Sequence, residues 1–138
     1  MKIIGFNYTK VSAERILKWE PLKKINTNIA FTNIEKDEVD VMKDSDVLRV
    51  SFKFEVEYET KNATILMEGI VLINADKEFV KEAMKKWSKK KEVSTEVRDA
   101  LIKLVWKKCN LRAFQLEEEL NIPTHIQLPQ IKIEQPTN

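Results

Sequence analysis

Between Val47 and Glu59 the chain alternates apolar and polar residues strictly. Leu48, Val50, Phe52, Phe54, Val56 and Tyr58 fall on one side of an extended backbone. Arg49, Ser51, Lys53, Glu55, Glu57 and Glu59 fall on the other. Successive side chains of a strand point to opposite faces, so this period of two predicts a long strand with one buried and one wet face, as in an antiparallel sheet. A slip of one residue would turn the whole apolar set into water, so the stretch also fixes its own register. It needs neighbouring strands and a cover for its apolar face.

The same pattern elsewhere supplies both. Lys2 to Thr9 sets Ile4, Phe6 and Tyr8 against Gly5 and Asn7 and predicts a first strand. Ser12 can cap a turn of helix running to Lys18, which Pro21 ends, leaving Trp19-Glu20-Pro21 in a connection. Ile25 to Ile34 predicts the second strand, with Ile25, Thr27, Ile29 and Phe31 on one side. The acidic stretch Glu35 to Asp46 is expected to be a loop or frayed hairpin. Thr60-Lys61-Asn62 reads as a tight polar turn into a fourth strand, Ala63 to Asn74. That strand is apolar on both faces: Ile65, Met67, Val71 and Ile73 on one, Leu66, Ile70 and Leu72 on the other. Either both faces are covered or one meets a partner subunit.

The period then changes to that of a helix. Phe79, Val80, Ala83, Met84 and Trp87 recur at helical spacing and predict a helix from Asp76, its cap, to Trp87; Lys89-Lys90-Lys91 breaks the pattern. A second helix begins at Ser94, with Thr95 and Glu96 suited to its first turn, and either runs to Leu120 or breaks near Asn110. Val97, Leu101, Leu104, Val105 and Lys108 form one face, and Ile102, Trp106, Cys109, Ala113 and Leu116 another. Two apolar faces predict a helix held between layers. Pro123 and Pro129 make the tail from Asn121 extended.

At 138 residues this is one domain, residues 1–138, large enough for a core without staples. The fold class that follows is α+β, a four-stranded antiparallel sheet with helices on one face. A net charge of +2, from 24 basic and 22 acidic residues, exerts no global pull on nucleic acid or an anionic membrane. The Lys85–Lys91 run is the one local basic feature and reads as a solvated helix end. A single cysteine, Cys109, excludes an internal disulfide and fits a cytoplasmic location; no apolar run reaches membrane-spanning length, and Met1 to Thr9 does not read as a secretory leader. Two glycines and a heavy Lys/Glu load make the composition thermophile-like.

Catalytic chemistry is sparse, so enzyme action is not expected. His125, the one histidine, lies between Pro123 and Pro129 and is expected on the surface without an orienting partner. Cys109 is expected to be a buried, small apolar residue. One Cys and one His cannot build the usual zinc site, and Gly5 and Gly69 cannot form a phosphate-cradling loop, so neither metal nor cofactor is expected. Glu55, Glu57 and Glu59 share a strand face, solvated or available to dock a basic partner. What remains is apolar surface: Trp19, Phe31, Trp87, Trp106 and Phe114, mostly core residues, some of which line a groove or an oligomer interface.

In their order, four short motifs resemble the SecB family of export chaperones. Lys18-Trp19-Glu20-Pro21 is similar to that family's Trp-x-Pro connection before its second strand, and Val47-Leu48-Arg49-Val50 to the start of its third. Glu68-Gly69-Ile70-Val71 resembles its fourth strand, and Leu120-Asn121-Ile122-Pro123 its Leu-Asn-x-x-Pro tail signature, one residue short. The resemblance covers most of the chain, and the composition fits a divergent archaeal or thermophilic member. It implies a homotetramer, a dimer of dimers with helices between sheets. It also implies an ATP-independent holdase whose hydrophobic grooves bind unfolded or precursor polypeptides, for export through the SecA motor or for protection of antitoxins. By position it places Trp19, Phe114, Leu116, Leu120 and Ile122 in the groove, to which Phe31 and Trp106 are added as aromatics available to line it. The chain departs from the family in its basic segment Phe79 to Lys91, in lacking an acidic tail, and in carrying Thr64-Ile65-Leu66 near the family's acidic motor-binding patch. Two rival readings are an adaptor whose apolar faces only build an oligomer, and a binder of a small apolar ligand.

Overall fold

The computed structural model describes residues 1–42 and 44–136, and the side chains of all of these but 38–42. Four strands, β1 (Lys2–Arg15), β2 (Ile25–Met42), β3 (Ser45–Tyr58) and β4 (Ala63–Asp76), precede two helices, α1 (Lys77–Lys90) and α2 (Thr95–Leu120). The sheet is antiparallel throughout in the order β1-β4-β3-β2. The expected α+β architecture is therefore the observed one.

The alternation in β3 is realised residue by residue. Leu48, Val50, Phe52, Phe54, Val56 and Tyr58 are all buried, and Ile65, Met67, Val71 and Ile73 of β4 lie on the same face. α1 lies over β2, β3 and β4, and α2 over β1, β4 and β3, so both helices cover this face. Val80 and Ala83 of α1 close it on one side. Val97, Leu101, Val105, Cys109, Ala113 and Leu116 of α2 close it on the other. Burying a large apolar side chain contributes roughly 1.5–3 kcal/mol, so this layer dominates the stability.

Gly69 sits where the layers are tightest. A Cβ there would lie 2.3 Å from the Asn7 carbonyl oxygen and 2.7 Å from the Phe52 ring, so only glycine lets β1 pair across and the ring lie over it.

Several expectations are corrected. Ser12 to Lys18 is not helical: β1 continues to Arg15, because Val11, Ala13 and Arg15 pair with Met67, Ile65 and Ala63 of β4. A lone capping serine without an apolar helical period does not compete with that ladder. Of the two forms expected for Glu35 to Asp46, loop or frayed hairpin, the described residues take the hairpin, formed by β2 and β3. Among its described side chains, Arg49 pairs with Glu35 and Asp37, and Lys36 with Asp46, across the strands. The part of this expectation that concerns the side chains of 38–43 lies outside the described residues. β3 ends at Tyr58, so Glu59 leaves the acidic strand face and opens a 3₁₀ turn, Glu59–Lys61. Asp76 and Ser94 precede the helices without side-chain capping bonds. α2 runs unbroken to Leu120 for 26 residues, about 39 Å. Its second apolar face is only partly covered in this chain: Cys109, Ala113 and Leu116 are buried, whereas Ile102 and Trp106 are exposed.

Candidate functional site

β1 and β2 are the two edges of the sheet, so the connection from Ile16 to Lys24 must cross the ends of β4 and β3. It is pinned there by Asn62, whose side chain is buried. Asn62 Nδ2 donates to the Glu20 carbonyl at 2.8 Å, and the Glu20 N–H donates to Asn62 Oδ1 at 3.0 Å. The Ile16 N–H donates to the Asn62 carbonyl at 2.9 Å. Between these anchors Trp19 lies edge-on to Tyr58, ring centroids 6.1 Å apart, under the Arg15 guanidinium at 5.0 Å. Leu17 projects into water, 99% exposed, beside Ile16 at 37%.

The far end of α2 meets this connection. Arg15 donates to the Leu120 and Asn121 carbonyls, both at 3.1 Å, placing a cation on the negative end of the helix. Asn121 takes a left-handed conformation, φ 53°, and the Ile122 N–H reaches back to the Glu117 carbonyl at 2.9 Å. This C-terminal stop turns the chain back over the last turns of α2.

That reversal buries His125, contrary to the surface position expected for it. Its side chain is 0% exposed and that of Glu117 1%. His125 Nδ1 lies 2.7 Å from Glu117 Oε2, and Nε2 lies 2.6 Å from Asn110 Oδ1. The His125 backbone N–H also points to the Glu117 carboxylate, at 3.3 Å from each oxygen. The Tyr58 hydroxyl completes the cluster, near Glu117 Oε2 at 3.3 Å and the Pro123 carbonyl. Burial first, and then the neighbouring carboxylate, push the Tyr58 hydroxyl's pKa well above its ordinary range, which keeps it a donor. The pair is sealed by aromatic neighbours: Phe114 at 5.1 Å and Phe54 at 6.1 Å between ring centroids, with Trp106 6.4 Å beyond Phe54. Cys109 is buried as expected, and burial pushes its thiol up to about 11.

Among the residues expected in a groove, Trp19, Phe114 and Leu120 are half-buried; Trp19 and Leu120 pack on the core, and Phe114 lies against His125. Leu116 and Ile122, each 7% exposed, belong to the core itself rather than to the surface. Trp106 stands alongside at 41% exposure. Phe31 does not join them: it pairs with Phe52, six residues along β2 from the Ile25–Tyr58 pair, roughly 20 Å away. Glu55 and Glu57 lie on the opposite, outer face beside Asn26 and Asn28. Glu57 is held above its ordinary pKa by its hydrogen bond to Glu55 and by that neighbour's charge. The sequence places Asn62 only in a polar turn and gives no sign of a role at this corner for Asn62, Glu117 or Leu17. Asn62 and Glu117 gave no periodic signal, and Leu17 was read as part of a helix.

No protein-family model matches the chain, and no curated protein matches it. Among solved structures it is similar to the Mycobacterium tuberculosis Rv1957 SecB-like chaperone in complex with a ChAD peptide from the Rv1956 HigA1 antitoxin. The likeness covers 99% of this chain and 92% of that one, with 15% sequence identity and a TM-score of 0.51. At that identity the shared feature is the fold.

Proposed function

We propose that this protein is an ATP-independent holdase that binds unfolded or precursor polypeptides at the corner formed by the Trp19 connection and the last turns of α2. The observation that carries the reading is Leu17, fully in water on a connection fixed by a buried asparagine. An apolar side chain held out on a pinned segment stabilises little in the free chain, but it offers contact to an apolar partner. In this reading Trp19, Phe114 and Leu120, all half-buried, would continue the surface, with the buried Leu116 and Ile122 beneath them. The likeness in fold to a SecB-like chaperone solved with a peptide supports the same reading.

A holdase needs no nucleotide. It binds the unfolded state and, by mass action, opposes that state's loss to aggregation. Apolar burial with strand-like backbone pairing would bind many sequences with little preference. The fuller form of the proposal is a cytoplasmic homotetramer, a dimer of dimers that buries the Ile102 and Trp106 side of α2, without a cofactor. Glu55 and Glu57 would then remain as a docking surface for a basic partner, with clients drawn from exported precursors or antitoxins.

The test is suppression of aggregation of a chemically unfolded model protein without ATP. Leu17→Ser leaves the fold intact because the residue touches little, and should cost about 1.5–3 kcal/mol of client affinity, the value of burying one leucine fully. Unchanged aggregation at stoichiometric excess of the native chain would sink the proposal.

A further inference from the structure

Where α1 gives way to α2, the two helices enclose an open cleft of about 570 Å³ that the groove reading does not use. Lys85, Lys86, Lys89 and Lys90 line it, all from one face of α1 and all exposed. Their spacing sets Lys85 against Lys89 and Lys86 against Lys90, like charges one turn apart, which disfavours a helix. Among the described residues none of the four has a carboxylate within 4 Å, so none is held in an ion pair, and the cleft's two acids, Glu82 and Glu96, are outnumbered. Lys89 and Lys90 complement the negative end of α1; Lys85 and Lys86 stand more than a turn before it.

The floor and the far wall differ in character. Phe79 and Ala83 make the floor apolar. The far wall is the first turn of α2, where Ser94 and Thr95 line the cleft. Ser94 makes no capping bond, and its Oγ is buried without a partner. The first amides of a 26-residue helix thus lack a side-chain acceptor from their own cap residue, on the wall opposite four unpaired ammonium groups.

We propose that this cleft docks an acidic segment of a partner polypeptide, with a carboxylate between the lysines and the start of α2 and an adjoining apolar side chain on Phe79 and Ala83. Charge complementarity selects that occupant. Glu82 and Glu96 also line the walls, and a nucleic-acid backbone, with its continuous run of phosphates, would meet both. A peptide can set single carboxylates against the lysines and leave those two acids facing water. The site is separate from the Trp19 corner and does not depend on holdase activity: a chain that fails to suppress aggregation still docks the acidic segment here.

The experiment is fluorescence anisotropy with a fluorescein-labelled peptide, Glu-Leu-Asp-Phe-Glu-Leu-Asp-Glu, compared with its counterpart carrying Gln and Asn in place of the acids. The native chain should bind the acidic form at least about tenfold more tightly, and raising salt from about 50 to 300 mM should weaken it severalfold. Lys86→Glu with Lys89→Glu should abolish the difference, while Lys10→Glu on β1 leaves it within about twofold; both variants alter exposed residues, and circular dichroism checks that they fold. Equal binding of the two peptides, or indifference to the paired substitution, overturns the proposal. So does displacement of the acidic peptide by a single-stranded 12-mer RNA at equal concentration, or by millimolar inorganic phosphate, which would make the cleft a general anion site.

Discussion

Glu117 and His125 are the costliest residues in the molecule to bury. A carboxylate and an imidazole at the end of a helix would ordinarily sit in water, yet their side chains are 1% and 0% exposed. The pair is tolerated because each is answered: Glu117 by the His125 ring, its backbone N–H and Tyr58, and the ring also by Asn110. Removing one member is therefore worse than removing both. His125→Ala should cost about 3–5 kcal/mol by leaving the carboxylate buried with too few partners. Glu117→Leu combined with His125→Leu should recover most of that loss. Urea unfolding of the two variants decides it, and a loss below about 1 kcal/mol for His125→Ala would show that the cluster does not hold the tail. Tyr58 belongs to the same account. It ends the most regular strand of the sheet, and its hydroxyl ties that strand to the chain reversal after α2.

The element that turns this architecture into a surface is the connection between β1 and β2. It joins the two edges of the sheet and has no strand or helix of its own. Its order rests on Asn62, which closes two hydrogen bonds with Glu20 and a third, through its carbonyl, with Ile16. Asn62→Ala should strip both side-chain bonds, cost about 1–3 kcal/mol, and free the segment around Trp19. Hydrogen exchange would register this as faster exchange of the Glu20 amide, with the amides of β3 protected until global unfolding. Exchange rising equally in both places would mean that Asn62 supports the sheet rather than the connection. The strands and helices around it were legible because period two and period 3.6 report which face is buried, and β3 and α1 carry those periods clearly; β4 and α2 are apolar on two faces and were placed by the turn and helix-start residues before them. The extension of β1 to Arg15 was not legible, nor was the length of the hairpin between β2 and β3, though a hairpin was one of two forms expected there. Their ordering comes from a partner strand and from cross-strand ion pairs, which local pattern does not encode. The corner was half legible: Trp19 and Leu120 stand out in sequence, whereas the Glu117–His125 pair exists only once the helix stop at Asn121 folds the tail back.

For the whole molecule, the exposed apolar residues include Ile4 and Val11 on β1 and Leu128, Ile131 and Ile133 in the tail, but two other sets matter for assembly and binding. Ile16 and Leu17 stand at the Trp19 corner, while Ile102 and Trp106 mark one exposed flank of α2 and Leu111 lies on the opposite flank. An oligomer that buries the α2 set and leaves the corner open is a holdase; one that buries both sets is an adaptor; a monomer that keeps both and encloses a small ligand is neither. Sedimentation with and without an unfolded client separates them. The holdase reading expects an assembly larger than one 16.2 kDa chain, near four copies, that grows when client is added and binds it at the same stoichiometry after Leu17→Ser but more weakly. Trp106→Glu should break the assembly toward smaller species, because a charge in a buried apolar contact is left without a partner. If Trp106→Glu left the size unchanged, the α2 face would not be the assembly surface. If native oligomers took up no client while dissociated chains did, both apolar sets would be closed in the assembly, and its function would be structural.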